Sequence, residues 1–264
     1  MPIPYYQVDA FASRPFRGNP AAVCLLAEEM PAAWMQSVAA EINLAETAFV
    51  HVRQGGYALR WFTPQIEVNL CGHATLAAAH VLWEDGQVAA REPIRFTTNS
   101  GIITTQRVDD EIQMNFPAET PTLCTPQDTL NLALGAKPIE TLRCQSDYLV
   151  VLQSEQAVQQ LQPDFHALRT IVARGIMVTA RSESPDTDFV SRFFAPRIGI
   201  NEDSVTGSAH CVLTPYWSHK LAKQKLMARQ LSARGGVLHL HLQHDRVMIC
   251  GMARTIIKGT LYAK

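Results

Sequence analysis

Two short segments, each with a glycine among small and polar residues, carry side chains suited to proton transfer. They are Cys71-Gly72-His73-Ala74-Thr75 and Thr206-Gly207-Ser208-Ala209-His210. Each leads into an apolar stretch of helical character, so each glycine is expected at a helix start. A helix N-terminus offers unpaired N–H groups and the positive end of the helix dipole, which can hold a carboxylate or a developing enolate oxygen. The glycines could instead only permit tight packing, but their recurrence favours ligand binding.

Glu46 is the candidate general base. It lies between Ala45 and Thr47, where a helix is expected to pass into a strand, with Leu44 and Phe49 nearby. Apolar surroundings raise the pKa of a carboxyl group towards neutrality, which suits a general base. An exposed loop position is the usual outcome for a glutamate, and the sequence alone leaves both interpretations open.

His73 and Asp203 are candidates beside the two helix starts. His73 is expected in the first helical turn, where the dipole disfavours its protonated form, so a neutral imidazole could donate a hydrogen bond or relay a proton. Asp203 precedes the second helix start, where an acidic side chain either caps the helix or contacts the substrate. The sequence does not separate these two roles.

The two segments differ at one informative position, because Cys71 of the first corresponds to Thr206 of the second. A two-base racemase needs an acid and a base on opposite faces of one carbon, and threonine is too weak for either role. One carboxylate that moves a proton along a single face remains, and this is isomerisation. The alternatives are an amino-acid epimerase that uses Cys71 with another partner, and a non-catalytic protein that binds small carboxylates.

The elements that must position these residues occur twice. The segment Arg60–Asn69 reappears at constant offset as Arg192–Asn201. A duplicated strand, turn and helix start predicts two halves of like architecture, whose interface is the natural place for a ligand. The expected halves are residues 1–117 and 118–264, with a linker at Pro117–Pro126 and the last strand able to return to the first half.

The order of strands and helices is mixed, without regular alternation, and predicts an α+β fold. The expected strands are Tyr5–Phe11, Ala21–Leu26, Ala48–Val52, Tyr57–Phe62, Ile94–Phe96, Ile102–Val108, Ile112–Phe116, Tyr148–Gln153, Ile176–Thr179 and a run of strands over Met227–Cys250. The expected helices begin at Pro31, Gly72, Pro126 and Gly207, with a further polar helical stretch over Glu155–Arg169.

Composition excludes several classes of function. The 264 residues carry a formal net charge of −1, with 47% hydrophobic and 18% charged residues. This is typical of a globular enzyme and shows no basic footprint for nucleic acid or an anionic membrane. No apolar run reaches membrane-spanning length, and no secretory signal opens the sequence. Six dispersed cysteines without a CxxC pair indicate reduced thiols, so a cytoplasmic location is expected.

No metal or cofactor is expected. His239 and His241 share one strand face with His244 close behind, but no acidic residue or cysteine sits at a useful spacing, so a polar strand face is the simpler interpretation. Glycine-rich nucleotide-binding motifs and the G-x-S-x-G nucleophile motif are also missing from the sequence.

Five ordered motifs, together with this pattern, resemble the PhzF-like isomerases named for phenazine biosynthesis, over essentially the whole chain. The motifs are Val8-Asp9-Ala10-Phe11 with Gly18-Asn19-Pro20-Ala21-Ala22-Val23, Asn43-Leu44-Ala45-Glu46-Thr47-Ala48-Phe49, Arg60-Trp61-Phe62-Thr63-Pro64, Cys71-Gly72-His73-Ala74-Thr75, and Glu202-Asp203-Ser204-Val205-Thr206-Gly207-Ser208-Ala209.

The resemblance implies a diaminopimelate-epimerase-like fold, in which two pseudo-symmetric domains each wrap a curved, barrel-like mixed sheet around a central helix. It also implies cofactor-independent chemistry on a small carboxylate in the cleft, and commonly a homodimer. In the phenazine enzyme a glutamate moves a proton within a dihydro-hydroxyanthranilate. Carried to this chain, the resemblance implies the catalytic residues Glu46, His73, Asp203 and Ser208, and substrate-binding amides at Gly72, Ala74, Gly207 and Ala209.

Overall fold

The computed structural model describes residues 2–125 and 127–263. The chain forms two compact units, one of Met1–Asn115 with Ile249–Lys264 and the other of Phe116–Met248. The sequence predicts a second half of residues 118–264, with the last strand able to return to the first half. In the structure residues 249–264 group with the first unit. None of the helices in the described part of the chain is both long and apolar enough to cross a membrane.

The strands and helices alternate irregularly along the chain. The strands are β1 Ile3–Ala10, β2 Asn19–Leu26, β3 Glu46–Arg53, β4 Gly56–Phe62, β5 Glu67–Val68, β6 Ile94–Thr98, β7 Gly101–Val108, β8 Glu111–Pro117, β9 Thr122–Leu123, β10 Glu140–Arg143, β11 Asp147–Val151, β12 Gly175–Arg181, β13 Phe189–Ala195, β14 Ile200–Asp203, β15 Lys225–Gln230, β16 Gly236–Gln243, β17 Arg246–Gly251 and β18 Ala253–Leu261. The helices are α1 Ala32–Ile42, α2 Gly72–Glu84, α3 Asp128–Leu134, α4 Glu155–Gln159, α5 Phe165–Thr170 and α6 Gly207–Leu221, with a 3-10 turn at Pro196–Ile198.

The sheet of the first unit is mixed and lies against the apolar helix α2. Its order is β18-β1-β2-β3-β4-β6-β7-β8, in which β2 runs parallel to β3 and β4 parallel to β6. Helix α2 contacts β1, β2, β3 and β18. Most residues of α2 are buried, as its alanine-rich sequence predicts, because a helix that is apolar almost all round must be enclosed by other elements.

The second unit repeats this strand order. Its sheet runs β9-β10-β11-β12-β13-β15-β16, again with β11 parallel to β12 and β13 parallel to β15. Both duplicated arginines form bidentate ion pairs, although their acidic partners do not correspond in the repeat: Arg60 makes two hydrogen bonds to Glu67 on the paired strand, and Arg192 makes two to Glu202. The sequence repeat is therefore a repeat of strand order and direction.

Several sequence-based element assignments need correction. The polar stretch over Glu155–Arg169 is two short helices, α4 and α5, because Pro163 and the N-cap Asp164 interrupt it; Asp164 accepts a hydrogen bond from the amide of Ala167. The proposed linker contains the short strand β9, and its last residue, Pro126, lies outside the described residues. Strands β10 and β18 were not predicted at all.

A tight turn before β2 depends on Gly18. Its φ is +67°, and a Cβ atom there would lie 2.1 Å from the backbone oxygen of Ala10. Gly86 has a similar φ of +70° but no atom within 4 Å of such a Cβ. A side chain at either position would strain the backbone, but only at Gly18 would it also clash with a neighbouring atom.

We expect Gly86→Ala to lower the free energy of unfolding by about 1–2 kcal/mol, from the positive φ alone. Gly18→Ala carries the same strain and a contact with backbone that cannot move aside, which costs a further ~1–3 kcal/mol. Urea denaturation of both variants measures the difference. Equal losses would show that the backbone around Ala10 relaxes freely.

Candidate active site

Glu46 is held where α1 passes into β3. Helix α1 ends at Asn43, which adopts a left-handed conformation with φ 54°, and Glu46 is the first residue of β3, paired with Ala21 of β2. Only 14% of the Glu46 side chain is exposed. The exposed-loop interpretation of Glu46 is thus wrong, and the carboxylate is largely enclosed by the first unit.

His73 faces this carboxylate from the start of α2. Nε2 of His73 lies 3.1 Å from Oε2 of Glu46, and the histidine is 4% exposed. The contact lacks the direction of a hydrogen bond, and among the described residues Nε2 has no hydrogen-bond partner. The pair is close enough for proton exchange.

The other ring nitrogen of His73 has two neighbours. Nδ1 lies 3.2 Å from Nδ2 of the buried Asn19 and 3.6 Å from Sγ of Cys71. When the Asn19 amide donates to Nδ1, the proton of a neutral imidazole resides on Nε2, towards Glu46. In the neutral form of the ring, Asn19 thus selects the tautomer that places a proton beside the carboxylate.

The protonation expected from the helix dipole is not the one the structure favours. Burial lowers the pKa of His73, but its interactions with Cys71 and with the Glu46 carboxylate more than offset this effect, so the net pKa is raised well above its ordinary value. The prediction of a neutral imidazole is therefore corrected. A carboxylate at ion-pair distance outweighs the partial charge of a helix end.

Cys71 is the N-cap residue of α2, and its thiol is buried within the same cluster. Burial, with the nearby Glu46 charge, raises the pKa of Cys71, so the thiol form is favoured. Ligand atoms of Glu46, Cys71 and His73 all lie within 4.8 Å of one another, a donor set that suits a metal such as zinc. No metal is expected from the sequence, in which these three residues show no ligand spacing.

In the second unit, Asp203 is tied to the N-cap of α6. Thr206 is that N-cap, as Cys71 is for α2, so the matching of Gly72 with Gly207 places both glycines first in their helices. The hydroxyl of Thr206 donates to Oδ2 of Asp203 at 2.6 Å. Gln230 accepts from the Thr206 amide at 2.9 Å and donates to the Asp203 carbonyl at 2.7 Å. Asp203 therefore fixes the side chain of the N-cap residue.

Ser208 has a neighbour that sequence reasoning missed. Nη1 and Nη2 of Arg174 each lie 3.4 Å from its Oγ, and Arg174 also forms an ion pair with Asp147. Ser208 follows Gly207 as His73 follows Gly72. Ala74 and Ala209, whose amides are also predicted to bind the substrate, are the third residues of α2 and α6. Both residues are buried.

Comparison with known proteins places this geometry in a family. Residues 8–259 match the family described as phenazine biosynthesis-like protein. An uncharacterized isomerase of Halalkalibacterium halodurans is 50% identical over 263 residues, which cover 99% of each chain. The chain belongs to the PhzC–PhzF family. It is an isomerase, as its family and its similar relatives indicate.

Solved structures support the same conclusion for the fold. A PhzF family protein from Enterococcus faecalis is 44% identical, with a TM-score of 0.96 and full coverage of both chains. A hydroxyproline epimerase from Agrobacterium vitis is 10% identical, with a TM-score of 0.64 over 98% of this chain and 91% of the other, a likeness of fold alone. The predicted α+β, two-domain, diaminopimelate-epimerase-like fold is confirmed.

Proposed function

We propose that this isomerase moves a proton within a small, cyclic or unsaturated carboxylate, with Glu46 as the general acid and base and without a metal or organic cofactor. The observation that supports this proposal is the enclosed pair of Glu46 and His73, whose facing atoms are 3.1 Å apart at the first turn of α2. A base must lie within hydrogen-bond reach of the proton it moves, in a place that water does not fill.

The proposed reaction balances within the substrate. Glu46 removes a proton from a carbon next to an activating group, and the electron pair moves into a conjugated enolate. The positive charge of His73 and the amides of Gly72 and Ala74 stabilise the negative charge that develops. The carboxylic acid of Glu46 then returns the proton to a second carbon on the same face, so the double bond changes place. Asp203 and Ser208 are proposed to assist catalysis, and the amides of Gly207 and Ala209 are proposed to bind the substrate.

A second candidate is an epimerase that uses the thiol of Cys71. The observation that favours it is the distance of 3.6 Å between Sγ of Cys71 and Nδ1 of His73, through which the thiol could be deprotonated. Against it, the buried thiol has a raised pKa, and Thr206 occupies the matching place in the second unit.

We expect Cys71→Ser to reduce turnover less than about tenfold, because under the leading proposal the thiol only packs beside His73. An epimerase would lose on the order of 100-fold or more, since a serine hydroxyl is a far poorer acid and base at neutral pH. The rate of each variant on a turned-over substrate measures this. Cys124→Ser, outside the cluster, is the matched control.

A screen in heavy water tests the proposed function. The wild-type protein is incubated with a panel of small alicyclic, unsaturated and amino-acid carboxylates, and mass and NMR spectra report deuterium. An isomerase relocates a double bond and labels the new position, whereas an epimerase labels the α-carbon of an amino acid. Labelling of amino acids alone would overturn the leading proposal in favour of the epimerase.

We further expect a homodimer in the cytoplasm. The family resemblance supports the dimer, and the cysteines of the described residues are all free thiols, which agrees with a reducing compartment. Sedimentation equilibrium and cell fractionation test these two expectations, and a monomer or an exported protein would contradict them.

A further inference from the structure

The strand registers show which residue of the second unit corresponds to Glu46. Phe62 and Phe194 occupy the same place in the duplicated segment, and they pair with Thr47 of β3 and Ile176 of β12. The residue before Thr47 is Glu46, and the residue before Ile176 is Gly175. The second unit therefore has no carboxylate at the position of the proposed base.

Arg174, the residue before Gly175, is the charged side chain next to this place in the second unit. In the first unit Glu46 contacts His73, the second residue of α2; in the second unit Arg174 contacts Ser208, the second residue of α6. One copy of the repeat thus presents a carboxylate against an imidazole. The other copy presents a guanidinium against a hydroxyl. The guanidinium has only hydrogen-bond donors, whereas the hydroxyl can donate or accept.

The Arg174 guanidinium is fixed from one side and open on another. Nε donates to Oδ1 of Asp147 at 2.9 Å, Nη2 donates to Oδ2, and Asp147 itself is 2% exposed. The guanidinium also lies over the ring of Phe193 at 5.8 Å. Nη1 is not engaged by Asp147, and 43% of the Arg174 side chain is exposed.

Gly175 helps to hold this arrangement. A Cβ atom at Gly175 would lie 2.1 Å from Cζ of Phe193, so a side chain there would displace the ring on which Arg174 rests. Glycine, where the first unit has Glu46, therefore leaves the space that the ring of Phe193 fills beneath Arg174. A pre-positioned guanidinium loses little conformational entropy when it binds an oxyanion.

We propose that Nη1 of Arg174 and Oγ of Ser208 form an anion subsite that binds a carboxylate group of the ligand. The assignment of that ligand as the substrate rests on the proposed function. The competing explanation is that Arg174 only neutralises the buried charge of Asp147, which needs a partner.

Two substitutions at the ion pair have opposite expected effects on carboxylate binding. Arg174→Gln removes the cation and should weaken the binding of benzoate, used as the probe, by roughly 10- to 100-fold, the range of a charge-assisted hydrogen bond. Asp147→Asn leaves the guanidinium uncompensated, so benzoate should bind as well as to the wild type or more tightly. The neutral isostere benzamide should bind all three proteins alike.

Calorimetric or NMR titration of the full-length protein measures these affinities. Arg181→Gln, which removes an exposed arginine at the far end of β12, the strand that begins directly after Arg174, is the matched control and should leave benzoate binding unchanged. Arg174→Lys should recover part of the affinity, because charge returns without the fork geometry. Circular dichroism checks that each variant folds.

The proposal is overturned if the wild type does not bind benzoate, if Arg174→Gln binds it unchanged, or if Arg174→Gln and Asp147→Asn lose affinity equally, as a purely structural ion pair would. Failure of the proposed function has a different signature. Glu46→Gln would then keep full turnover, while the benzoate affinities of the Arg174 and Asp147 variants would still differ.

Discussion

Glu46→Gln is expected to lower the turnover number by about 100- to 10,000-fold, the range that a positioned acid–base group contributes. Glutamine has nearly the same shape, so the start of β3 and its pairing with β2 should persist. The amide nevertheless has no site that accepts a proton near neutral pH. The substrate should bind with similar affinity, and deuterium exchange from heavy water should stop together with turnover.

A matched substitution isolates the effect of position from that of charge. Glu41→Gln removes a carboxylate from the exposed end of α1, a few residues before Glu46, and should leave turnover within about twofold of the wild type. Steady-state rates and proton-exchange rates of both variants give the comparison. If Glu46→Gln exchanged protons with heavy water as fast as the wild type, the base would have to be another group. Cys71 would then be tested first.

Some parts of this site are determined by residues close together in the sequence, and local sequence patterns are sufficient to predict them. Gly72 and Gly207 begin their helices as expected, because a small residue before a long apolar stretch signals a buried helix start whatever lies around it. The repeated segment also survives in three dimensions, because the strands β4 and β13 that it contributes have the same order and direction in the two sheets. The helix starts require no knowledge of strand register.

The parts that were missed depend on contacts between distant segments. Asn19 reaches His73 across 54 positions, and Arg174 reaches Asp147 and Ser208 across 27 and 34 positions. Such contacts follow from which strands pair and in which register, and a single sequence does not encode register as a readable pattern. The pairing of β12 with β13 could have suggested Arg174, but only after the strands had been aligned.

The protonation of His73 was mispredicted for a related reason. A position in the first turn of a helix is visible in the sequence, and the dipole effect can be inferred from it. The carboxylate of Glu46, 27 residues earlier, is brought to His73 only by the packing of α2 against β3. The effect of the helix end was correctly identified, but it is weaker than the effect of Cys71 and Glu46 on His73, so the net pKa is raised and not lowered.

His73→Gln tests that sign directly, and it is expected to reduce turnover by on the order of 100-fold or more because the charge beside Glu46 is lost. The effect on stability carries more information. A pKa that is raised in the folded state stabilises the fold fully below the unfolded pKa of about 6.5. This contribution is lost as the pH rises through the higher folded pKa.

The free energy of unfolding of the wild type, relative to His73→Gln, should therefore fall as the pH is raised above about 6.5, by at most ~1.4 kcal/mol per pH unit for one proton. Urea denaturation at a series of pH values measures this difference, and His219→Gln, at an exposed histidine near the end of α6, should show no such trend. If His73 were instead neutral in the fold, with burial and the helix dipole dominant, its folded pKa would lie below 6.5. The wild type would then gain stability relative to the variant as the pH rises towards 6.5, and the ion pair with Glu46 could not supply the positive charge that the proposed enolate requires.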